Sequence, residues 1–105
     1  MIRKIHKDNM DLEFFTECPS PPGYSFITVS DDLAFVFVAP VMFWALEVDT
    51  YAPYPVTMDG VQVSNVRILT PCGKVIDRLG DIYLNFAGFL KDIGAENAQI
   101  EGVPV

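Results

Sequence analysis

"FVFVAPVMFWALEVDTYAPYP", residues 35–55, holds six aromatic residues, three prolines and only two charges, Glu47 and Asp49. Its first part, with Leu33 and Ala34 before it, is apolar at every position. A strand of that kind has no polar face and predicts a central strand covered on both sides, by a helix on one of them. Pro40 interrupts, and "VMFWALEVD" follows. As a strand it points Met42, Trp44, Leu46 and Val48 one way and Val41, Phe43, Ala45, Glu47 and Asp49 the other. As a helix opening at Pro40 it groups Val41, Trp44, Ala45 and Val48. Periodicity alone does not separate the two. Aromatic and branched content favours the strand, with the proline marking a bulge or an edge.

Working outward, "TYAPYP" reads as an extended loop exposing Tyr51 or Tyr54. Upstream, "YSFITV" from Tyr24 is a strand and "SDD" at 30–32 a turn, since Ser and Asp side chains bond nearby backbone groups. "TECPSPPGY" crowds prolines that fix φ and remove donors, and predicts a loop. "IRKIHK" before it is an edge strand or an ordered arm. Downstream, Asp59-Gly60 in "VTMDGVQV" is a hairpin signal, and "VRIL", "TPCGK" and "VIDR" predict a second hairpin. The helix comes last, in "DIYLNFAGFLKDIG": Asp81 is its expected N-cap, Gly94 its C′ residue, and Ile82, Phe86, Phe89, Leu90 and Ile93 its apolar stripe. Leu84 and Gly88 fall on the opposite face, where the tail "AQIEGVPV" could cover them as a last strand or a strap.

These elements predict one α+β domain over residues 1–105: an antiparallel sheet of about five or six strands with one C-terminal amphipathic helix, residues 81–93, packed on one face. A single helix leaves the other aromatic face uncovered. That argues for a homodimer or a protein partner.

Charge narrows the partner. The net charge is −7, and between residues 8 and 66 there are nine acids and no Lys or Arg. A surface at negative potential repels phosphate backbones and attracts basic proteins or cations, so direct nucleic-acid binding is not expected. The longest uncharged apolar run, Leu33 to Leu46, falls short of the roughly 20 residues of a spanning helix, and no membrane association is expected. "MIRKIHKDNM" leads into acids rather than an apolar leader segment, which makes a cytoplasmic location the expectation. Cys18 and Cys72 are far apart and lack a C-x-x-C pattern, so a disulfide or zinc site is not expected, and the pattern marks neither as a nucleophile.

No Gly-rich phosphate loop, Walker sequence or G-x-S-x-G occurs, so no cofactor is expected. Asp31-Asp32 reads as turn capping. Glu47 and Asp49 would share a strand face about 7 Å apart, as a carboxylate pair or a solvated strand end. The leading expectation is non-catalytic binding, through an aromatic, acid-rimmed surface formed by Phe43, Trp44, Glu47, Asp49, Tyr51 and Tyr54, for self-association or a basic protein. The second is a small-molecule site, in which the same rings stack on an amphipathic cation and Glu47 or Asp49 stands at the mouth.

Overall fold

Pro40 is where the chain passes from one sheet to another. The computed structural model describes the backbone of residues 3–7 and 10–102 and the side chains of 13, 14 and 16–102. Ile2, residues 103–105 of the tail, and the side chains of Ile5 and His6 lie outside these. Along the chain run β1 (Arg3–Lys7), β2 (Met10–Pro19), β3 (Ser25–Val29), β4 (Phe35–Pro40), β5 (Phe43–Glu47) and β6 (Pro53–Thr57). There follow β7 (Gly60–Val61), β8 (Arg67–Leu69), β9 (Val75–Asp77), β10 (Ile82–Tyr83), α1 (Phe86–Asp92) and β11 (Gln99–Glu101).

The strands form two sheets, not the one of five or six expected. One has the order β1-β2-β5-β6-β7, the other β10-β9-β8-β3-β4-β11. All pairings are antiparallel except β11 on β4. The physical reason lies in a two-stranded ribbon that crosses between the sheets. Pro19 pairs with Phe43 at its one end and Ser25 with Pro40 at its other. Between them the Ser20 N–H bonds the Met42 carbonyl (2.9 Å) and the Val41 N–H bonds the Tyr24 carbonyl (3.0 Å). Pro21, Pro22 and Gly23 have no counterparts on the other strand and loop out, so the ribbon bends there. Proline cannot donate to a ladder, and the break in pairing falls where the prolines are.

Alternation then decides what each residue meets. Val36 and Val38 join Ile27, Leu69 and Val75 under Phe89, Leu90 and Ala95, the core beneath the helix. On the reverse side Phe26 and Ile68 pack with Val41 and Val66, and with Tyr24, Trp44 and Tyr54, where the sheets meet. Phe14, Ala45, Val56, Val61 and Val63 form a third cluster within the five-stranded sheet. β4 is therefore not covered on both faces as expected. Its valines face the helix, while Phe35 and Phe37 stay exposed.

The helix is shorter than the apolar stripe predicts. Ile82 and Tyr83 pair with Ile76 and Val75, which keeps the chain extended past Asp81. The N-cap is Asn85, whose side chain accepts the Gly88 N–H (2.6 Å), rather than Asp81. Phe89 and Leu90 are buried with Phe86 and Ile93 partly buried beside them, the expected stripe, and Gly94, at φ +80, follows the C-cap as expected. The tail returns as β11, yet Leu84 remains 81% exposed.

"TYAPYP" is another correction. After the turn of residues 48–50, Pro53, Tyr54 and Pro55 belong to β6. The Val56 and Ala52 carbonyls face β5, accepting from Met42 and Glu47, whereas the Pro55 carbonyl accepts from Gln62 on the other side. Pro53 and Pro55 thus turn their donor-less nitrogens away from the β5 ladder, toward the side that short β7 only partly pairs.

Candidate functional site

The six residues singled out from sequence occupy different surroundings. Phe43 and Trp44, adjacent on β5, point to opposite faces. Tyr54, cross-strand from Ala45, shares the Phe43 side; it stands edge-on to Phe14 at 5.5 Å, and the Arg78 guanidinium lies 4.2 Å above its ring. Trp44 is half-buried at the sheet junction, edge-on to Tyr24 (5.8 Å), and its indole N–H donates to Ser20 Oγ (3.0 Å). The buried Glu47 carboxylate accepts from the Thr50 hydroxyl and backbone N–H, both at 2.7 Å, and these bonds hold its pKa below the ordinary carboxyl value. Asp49 lies exposed in the turn after the strand, so the two acids do not share a strand face. Tyr51 follows in the left-handed region (φ 58), strongly exposed.

Two features emerge from this geometry. The first is an outward aromatic surface from the same stretch of chain. Phe35 and Phe37 are 40% and 46% exposed and stack on each other, with ring centroids 6.3 Å apart. Leu33, Met42 and Phe43 are exposed too. Acids border the stacked pair: β11 sets Glu101 beside Phe37, and the turn before β4 carries Asp31 and Asp32. The Ala34 N–H and the Ser30 hydroxyl bond Asp32 and depress its pKa. Sequence reasoning named neither phenylalanine as a site residue. The available signal was the alternation of "FVFV" itself, since branched valine and planar phenylalanine fall on opposite faces of a strand.

The second feature is a cleft of about 320 Å³ between the sheets, lined by Tyr24, Trp44, Pro53, Val66, Ile68, Thr70, Ile76, Asp77, Arg78 and Gly80. Arg78, Val66 and Asp77 also border a neighbouring hollow of about 260 Å³ that includes Tyr54 and Val63. Arg78 donates to the Pro53 carbonyl, on the side of β6 that faces away from β5. Asp77 Oδ1 accepts the backbone N–H groups of Leu79 and Asp81, at 3.0 and 2.9 Å, and caps its own turn. Of the six sequence-derived residues, Trp44 lines the larger cleft and Tyr54 the smaller.

Among the described residues no three His, Cys, Asp or Glu side chains gather as metal ligands, and no helix is long and apolar enough to cross a membrane. Comparison with protein-family models, curated proteins and solved structures gives no match.

Proposed function

We propose that this chain is a non-catalytic binding domain, which uses an aromatic, acid-rimmed surface for self-association or for a basic protein partner. The observation that carries the reading is the stacked, outward pair Phe35 and Phe37 on a strand whose valines already fill the core. Two large rings held in solvent gain free energy when a second surface covers them, and rings so placed favour interfaces. The carboxylates argue the same way, since those of Glu47, Asp32 and Asp77 are hydrogen-bonded within local turns.

The surface we infer thus centres on Phe35 and Phe37, rather than on Trp44 and Tyr54, which brace the sheet junction. A Trp44→Glu variant would damage that junction. The informative variant is Phe35→Ser with Phe37→Ser. Light scattering in low and high salt would read the solution mass of both proteins. A dimer that the double variant abolishes identifies a second copy as partner; a monomeric wild type directs a photo-crosslinking search from position 37 toward basic proteins. An association that the double variant leaves unchanged would sink the reading.

A further inference from the structure

The inter-sheet cleft is a separate feature, and its chemistry differs from that of the outward surface. Apolar and aromatic side chains make most of its wall: Trp44 and Pro53 from one sheet, Ile68 and Ile76 from the other, Val66 just before β8, and Tyr24 at the bend. Trp44 is held in place on two sides, by the Tyr24 ring and by its own bond to Ser20, so it presents a ring without an unsatisfied donor. Ile76 is 40% exposed, an apolar side chain open to the space. A volume of about 320 Å³ lies at the low end of small-molecule sites and suits one or two rings.

The charged groups at this cleft are Arg78 and Asp77, and they are not equivalent. Asp77 turns an oxygen onto two backbone N–H groups of its own turn. Arg78 is pinned by the Tyr54 ring face and the Pro53 carbonyl. A guanidinium has five N–H donors in a planar fork. One carbonyl oxygen does not exhaust them, and carboxylates meet that fork bidentately. Arg78 lines the aromatic cleft as well as the neighbouring hollow, in a molecule with 7 Lys and Arg against 14 Asp and Glu.

We propose that the cleft binds a small aromatic carboxylate, with its ring against Trp44 and its carboxylate on Arg78. This departs from the cationic ligand expected from composition, because folding brings Arg78, far from Trp44 in sequence, to the same space.

Trp44 is the protein's single tryptophan, so its indole N–H gives one resolved signal in a proton–nitrogen correlation spectrum. The probes are 4-phenylbutyrate, 4-phenylbutylamine and 4-phenylbutanol, identical but for the head group. The acid should shift the Trp44 signal saturably and bind at least about tenfold tighter than the amine or the alcohol. Arg78→Gln should weaken the acid roughly tenfold to a hundredfold, the range of a lost charge-assisted hydrogen bond. Arg78→Lys should fall between them, and Phe35→Ser should change nothing. Should Arg78→Gln disturb folding, the three probes on wild-type protein decide alone, with Ile76→Phe as a cleft-filling check that should abolish the shift. An amine or alcohol that binds as tightly as the acid, or no saturable shift from the acid at millimolar concentration, would overturn the proposal.

Discussion

Phe37→Ala and Phe89→Ala delete the same atoms from opposite sides of the six-stranded sheet, and their difference tests whether the β4 rings are free. Phe89 is 1% exposed, beneath Tyr83 and beside Phe86. Its truncation leaves a cavity and should cost about 3–5 kcal/mol. Phe37 already has 46% of its surface in water. A Phe side chain can bury about 200 Å². Roughly half of that is in play, or about 2.5 kcal/mol at 25 cal/mol per Å². Residual compaction of the unfolded chain lowers this to about 1.5–2 kcal/mol, and an outward site leaves no cavity. Urea unfolding followed by Trp44 fluorescence at micromolar protein should therefore separate the two variants by about 2 kcal/mol. If a second copy covers Phe37, wild-type stability should also rise with protein concentration, and Phe37→Ala should remove that rise. Equal losses for both variants at the lowest concentration would mean that Phe37 is covered within its own chain. The binding surface would then be lost as an idea.

Three further outcomes follow from the polar geometry. Thr50 holds the Glu47 carboxyl below its ordinary value of 4.5. Its contribution to stability is complete above that value and fades as pH falls through the lower folded one, so Glu47→Gln should flatten the acid limb of the Tm–pH profile; superimposable limbs would contradict this. The Thr70 hydroxyl, 3.2 Å from Cys72 Sγ, and the Lys74 N–H lower the Cys72 thiol from its ordinary 9.0. Iodoacetamide labelling of Cys72, followed against pH by mass spectrometry, should have its midpoint below that of the same thiol in urea-unfolded protein, and Thr70→Val should raise it; a midpoint that stays put tells against the hydrogen bond. Ser25 Oγ is buried with no hydrogen-bond partner. Ser25→Ala should be neutral or stabilising by up to about 1 kcal/mol in chemical denaturation, and a clear loss would reveal an unseen partner.

Local signals in the chain were enough to place several elements. Asp59-Gly60 marked the β6–β7 hairpin, "TPCGK" the turn between β8 and β9, and Gly94 the end of the helix, because turn and cap chemistry acts over a few neighbouring residues. The stripe Phe86, Phe89, Leu90 and Ile93 was legible for the same reason. Its apparent extension to Ile82 was not, because a helical period cannot register that Ile82 and Tyr83 find β9 as a pairing partner.

A break in pairing at Pro21 and Pro22 was also written in the chain, but β2 runs on through Thr16–Pro19, inside the stretch expected to loop, and what lies on either side was not legible. Reading "FVFVAPVMFWALEVDTYAPYP" as one sheet's strands and a loop missed that Pro40 passes the chain between two sheets and that Pro53 and Pro55 sit in a strand. Composition determined that the stretch would be apolar and that cations would be scarce around it. Only the tertiary structure decided which of its residues face inward, and that Arg78 reaches Tyr54 and the Trp44 cleft from far along the sequence. Burial and charge pairing depend on which strands become neighbours, and that is a property of the whole chain's packing rather than of any window within it.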